Sequence, residues 1–103
     1  MRYNNVVLLS LILLAVAKPT RTEESKPMMQ VVLLGTGFPR PDPERAGPAT
    51  AVVVGEKVFV VDAGRGVVLR LAAAELPLKS VRAVFLTHLH SDHTAGLPDL
   101  FNT

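Results

Sequence analysis

All three histidines of this chain fall within six residues, His88, His90 and His93, and an aspartate, Asp92, stands among them. Residues two apart in an extended segment point to the same side. His88 and His90 can therefore present two imidazoles to one metal ion, at Zn–N distances near 2.0–2.1 Å. Asp92 and His93 follow where the chain must turn, and can face a second ion or complete the first. Imidazole and carboxylate without thiolate suit zinc, and also manganese or iron. With no cysteine in the chain, every thiolate ligand, disulfide and cysteine nucleophile is excluded. Gly96 lets the backbone leave such a site tightly.

The elements that must position these side chains are short and apolar. Val31–Leu34 reads as a buried strand closed by Gly35-Thr36-Gly37, a plain turn or the rim of a site. "FPRPDPERAGPAT" holds four prolines in 13 residues and reads as a long loop. Ala51–Val54 and Val58–Asp62 flank a Gly55-Glu56-Lys57 turn, a hairpin pattern. Val67, Val68, Leu71 and Leu76 share one helical face, and Pro77 stops that helix. Val81–Leu86 is a further strand, and Thr94 a candidate cap for a second helix. The strands are apolar on both faces, as in a sheet covered on both sides. One convincing helix leaves part of such a sheet without a partner, so the chain reads as a fragment of a longer protein.

The first residues read differently. "VVLLSLILLAVA", Val6 to Ala17, is a 12-residue apolar run behind Arg2, ending in an A-x-A pattern. It is expected to be a signal peptide spanning 1–17, with an N-terminal anchor as the alternative. The run is too short to span a bilayer, which takes about 20 apolar residues. The mature chain is then exported, starts at Lys18 and carries no membrane span, which N-terminal sequencing checks. Residues 18–29, with two prolines, read as a linker, and 30–103 as the folded part. The net charge is +2, and losing Arg2 with the leader brings it closer to zero. That balance is too even to argue for a nucleic-acid partner or an anionic membrane surface, and a nucleic-acid partner is not expected. Nothing in the sequence sets an oligomeric state.

His88-Leu89-His90-Ser91-Asp92-His93 resembles the H-x-H-x-D-H signature of the metallo-β-lactamase superfamily. "VVLLGTGFPRPDP" at 31–43 resembles the opening strand and glycine loop of its ribonuclease Z-like and arylsulfatase/phosphodiesterase-like branches. "VFVVDAGRG" at 58–66 is similar to the superfamily's earlier Asp-Gly motif. The resemblance implies a mixed α/β fold, the N-terminal half of an αββα sandwich. It implies up to two metal ions, zinc first, with His88 and His90 on one and Asp92 and His93 on the other. Asp92 is then the ligand that also belongs to the catalytic set. Asp62 lies behind the metals and orients a histidine, or else serves as a turn residue bonded to the backbone before Gly64. The implied reaction is hydrolysis by a metal-bound hydroxide, at a phosphodiester, sulfate ester or lactone.

The alternatives are a ribonuclease Z-like tRNA 3′-processing endonuclease and an inactive metal-binding remnant. A lactamase and an iron-dependent redox member of the superfamily are weaker readings. The superfamily also uses a later histidine, an aspartate and a final histidine as ligands, and no histidine follows His93. This stretch thus carries only the first ligand cluster.

Overall fold

The computed structural model describes residues 16–103. The expected leader lies almost wholly outside the described residues. Residues 16–28 are exposed and irregular, and the first strand begins one residue before the expected boundary, at Met29.

Four strands form one sheet in the order β1 (Met29–Gly35), β2 (Ala49–Val54), β3 (Lys57–Val61) and β4 (Val81–Phe85). β1 runs antiparallel to β2, with a register shift between Leu33 and Gly35. β2 and β3 form the expected hairpin, in which Val54 pairs with Lys57. Its two-residue turn is Gly55-Glu56, and Gly55 sits at φ 59, where a glycine carries no Cβ penalty. β3 then crosses through helix α1 (Val67–Ala73) to the parallel strand β4. Two short helices follow, α2 (Ser91–Thr94) and α3 (Leu97–Asn102).

Period-two alternation gives the sheet two different faces. Leu34, Ala49, Ala51, Val58 and Val60 point toward α1 and make a core with Ala63, Val67 and Leu71. Burying a valine or leucine side chain contributes about 1.5–3 kcal/mol, so this small cluster carries much of the apolar stabilisation. The other face is open. Leu34 is 5% exposed, whereas its neighbour Leu33 is 68% exposed. Val31, Val54 and Phe85 are exposed too. The expectation of a sheet covered on both sides is therefore met on one side only among the described residues. The fold is a mixed α/β partial domain.

Two boundaries differ from expectation for local reasons. α1 ends at Ala73, before Leu76 and Pro77. Glu75 takes a left-handed φ of 57. The Leu76 amide donates to the Leu71 carbonyl and the Glu75 amide to that of Ala72. That is a Schellman closure, which still folds Leu76 onto the core next to Leu71. Thr94 does not cap the last helix. It ends α2, its hydroxyl lies 3.4 Å from the His90 carbonyl, and α3 starts after Gly96.

Candidate metal centre

The site lies beyond the ends of β3 and β4, on two loops that hold each other. The hub is the turn 62–66. The Asp62 amide donates to the Phe85 carbonyl (2.7 Å) and the Ala63 amide to the His93 carbonyl (2.8 Å). The Gly96 amide donates back to the Ala63 carbonyl (2.8 Å). On its other flank the Gly64 amide donates to Pro48 and the Gly47 amide to Arg65. The backbones come so close that a Cβ on Gly64 would lie 2.6 Å from Pro48 N and 2.7 Å from the Asp92 carbonyl oxygen. Glycine at position 64 is thus a packing requirement.

The proline-rich loop is tied to the same hub. Arg65 donates from Nη2 to the carbonyls of Pro39 (3.0 Å) and Phe38 (3.3 Å). Gly35 closes β1, and Thr36-Gly37 run on as irregular chain against this loop, with the Gly37 amide donating to the Ala46 carbonyl at 2.8 Å.

Asp62 organises the side chains. It sits at φ 62, a conformation that aspartate tolerates better than most residues. Only 7% exposed, its carboxylate reaches across to the histidine segment rather than to the backbone before Gly64. Oδ1 accepts from the Thr87 amide (2.8 Å), and Oδ2 lies 2.7 Å from His93 Nδ1. The Thr87 hydroxyl lies 2.8 Å from Oδ2 and 3.0 Å from Oδ1. Burial pushes this carboxyl up, but the Thr87 amide, the His93 ring and the Thr87 hydroxyl outweigh it and hold Asp62 below the usual carboxylate range. The carboxylate is therefore ionised at neutral pH and acts as an acceptor. It also ends the strand. After Phe85, the Thr87 amide turns to Asp62, so β4 stops one residue before the expected Leu86.

The histidines gather beside this carboxylate. The His88 and His90 rings meet edge to face with centroids 4.7 Å apart, and His88 and His93 are 4.0 Å apart. Asp92, 6% exposed, opens α2, and its Oδ2 lies 3.5 Å from His93 Nε2. Two tetrahedral zinc ligands, each about 2.0–2.2 Å from the ion, stand about 3.3–3.5 Å apart. His93 and Asp92 have the spacing of two such donors, and their chemistry fits zinc. Among the described residues no group of three or more side chains is assembled into a finished cage. The residues fit one part of a metal site. Thr87 and Arg65 are the functional candidates that sequence reasoning missed. The signal for Thr87 was its place directly before the first histidine.

Comparison with known proteins agrees with this geometry. The metallo-beta-lactamase superfamily model matches residues 42–103, more than half of the chain. The ribonuclease Z of Mycobacterium marinum is 55% identical over 76 residues, and that of Mycobacterium sp. strain KMS 57%. Each match covers 74% of this chain and 27% of the relative, so the chain spans about a quarter of the length of the curated relatives it matches. Among solved structures, human tRNase Z, short form, superposes with a TM-score of 0.66 at 36% identity, over 71% of this chain and 28% of that one. The metallo-beta-lactamase fold protein YhfI of Bacillus subtilis gives 0.64 at 29% identity, over 70% and 30%.

These relatives correct one expectation. The even charge and the expected leader argued against nucleic acid, and a small-molecule ester was the expected substrate, yet the relatives are named for a ribonuclease and a tRNase. The reason is coverage: phosphate-neutralising residues can lie anywhere in a protein, and charge summed over a stretch matching about a quarter of those relatives does not measure theirs. Motif, fold and family model agree, and the chain belongs to the metallo-beta-lactamase superfamily.

Proposed function

We propose that this chain carries the first ligand cluster of a zinc-dependent phosphodiesterase that cleaves RNA, of the tRNA 3′-processing kind. The observation that carries the reading is the gathering of three imidazoles and the buried Asp92 carboxylate at one end of the sheet, braced by Asp62. Likeness to proteins named ribonuclease Z and tRNase Z supports the choice of substrate. His88 and His90 would hold one ion and Asp92 and His93 a second, with the remaining ligands elsewhere in the whole protein. Zinc held by these residues would polarise a phosphoryl oxygen and lower the pKa of a bound water to about 7. Asp62 keeps the proton of His93 on Nδ1, which leaves Nε2 free to bind. Asp92, drawn out of water, presents its carboxylate at a fixed distance from that nitrogen.

The test is cleavage of a precursor tRNA bearing a 3′ trailer by the full-length protein. Cleavage should stop on chelation and return with zinc. His88→Ala should lower kcat/KM by more than about 100-fold, since even residues behind the ligands are worth 10–100-fold. A precursor left intact by the metal-loaded protein, or cleavage indifferent to chelation, would remove the reading.

A further inference from the structure

The hydrogen bonds around Thr87 do not balance unless one proton has a fixed place. The Thr87 oxygen lies within hydrogen-bond distance of both Asp62 oxygens and, at 3.0 Å, of His88 Nδ1. A threonine hydroxyl has one hydrogen and two lone pairs, and an ionised carboxylate only accepts. The hydroxyl hydrogen must therefore go to Asp62, leaving the threonine oxygen only lone pairs to offer His88. The third contact is a hydrogen bond only if His88 Nδ1 carries a hydrogen and donates it. A neutral imidazole protonated at Nδ1 has a bare Nε2. The Thr87 amide is itself bound to Asp62 Oδ1, so the residue is tied at backbone and side chain and its hydroxyl has little freedom to turn elsewhere.

We propose that Thr87 is a positioning residue whose hydroxyl relays the acceptor demand of Asp62 to His88 and fixes that ring with Nδ1 protonated and Nε2 free for the metal. One buried carboxylate then sets the tautomers of two histidines. It acts on His93 directly, through the 2.7 Å contact, and on His88 through a single hydroxyl. The relay matters most for His88, which is exposed where His93 is half-buried. An exposed ring left to water would sample both tautomers and several orientations. The proposal deepens the reading of His88 as a ligand and rests on it only for the metal's part.

The tautomer is measured on metal-free, 15N-labelled protein, with the His88 signals assigned by their loss in His88→Gln. At a pH where the ring's own 15N shifts show it neutral, His88 should carry a protonated Nδ1 and a bare Nε2. Thr87→Val keeps the shape and the backbone bond to Asp62 but removes the hydroxyl. It should release His88 to the other tautomer or to an average of the two, while Thr87→Ser restores the original pattern. Zinc affinity should fall about 10–100-fold in Thr87→Val and recover in Thr87→Ser. A bare Nδ1 on His88 in the wild type, or the same tautomer in wild type and Thr87→Val, would overturn the relay. The tautomer decides the proposal by itself: expected tautomers in a protein that binds no zinc would sink the metal reading and leave the relay standing.

Discussion

The six residues from His88 to His93 divide into two regions that the fold treats differently. Asp92 and His93 stand on the first turn of α2, and the 62–66 hub grips their backbone through the Ala63–His93 hydrogen bond. Asp62 holds the His93 ring from behind. His88, Leu89 and His90 are exposed, and among the described residues the first of these rings leans on Thr87 and on the other two rings. One region is preorganised by loops already folded; the other is a strap held at its two ends. A metal site needs donors fixed to within fractions of an ångström; on the proposed reading the braced region offers a ligand pair and the strap relies on Thr87.

Gly64→Ala breaks the contrast most severely. The added methyl would run into backbone atoms of Gly47, Pro48 and Asp92, none of which can swing aside as a side chain would. Overpacking usually costs about 1–3 kcal/mol, and a clash with two backbone segments belongs at or above the top of that range. Chemical denaturation should show a loss of about 3 kcal/mol or more. Gly55→Ala is the control, because nothing lies within 4 Å and only the positive φ of 59 opposes it. That substitution should cost about 1–2 kcal/mol. Equal losses at the two positions would mean that the hub is not the rigid part.

Asp62→Asn acts on the side chains of the same region and should cost less. Asparagine tolerates the left-handed backbone at this position, so the hub keeps its path. It has one acceptor oxygen where the carboxylate takes the Thr87 amide, the Thr87 hydroxyl and the His93 ring. One donor is left facing an NH2 group. Hydrogen bonds to charged groups are worth about 1.5–3 kcal/mol, so a loss of about 2 kcal/mol is expected in the same denaturation experiment. Zinc affinity, measured by calorimetry, should fall about 10–100-fold because His93 is no longer held in one tautomer. Unchanged affinity would put the brace outside the metal site.

Much of this was legible in the chain itself. The β-branched runs mark all four strands, because a pleated, half-buried strand favours valine and isoleucine, and the spacing of His88, His90, Asp92 and His93 marks the candidate site. What the residues hid depends on distance along the chain. Asp62 meets Thr87 and His93 across 25 and 31 residues; the resemblance implied that it orients a histidine, but no local pattern says which one or brings in Thr87. The end of α1 was hidden for a different reason. Pro77 is an obvious stop, but the helix closes earlier because Glu75 adopts a left-handed conformation that its residue type does not advertise. The single convincing helix implied that part of the sheet lacks a cover, but no residue pattern says which face is open. Valines at 31 and 60 read alike, yet one is exposed and the other buried.

Leu89→Ser gives the smallest effect and tests the strap directly. Leu89 lies between two histidines and is 81% exposed, so its side chain removes little apolar surface from water. Exposed substitutions away from caps and special backbone usually change stability by less than about 0.5 kcal/mol, and that is the expected result for denaturation of the full-length protein. Zinc affinity should also hold, because serine leaves the positions of His88 and His90 and the Thr87 contact untouched. A loss beyond about 1 kcal/mol would show that Leu89 is covered in the full-length protein, since only a side chain packed against other atoms costs that much to truncate. The strap would then be fastened by apolar contact as well as by the Thr87 hydroxyl, and the difference between the two regions would lie in which part of the protein does the bracing.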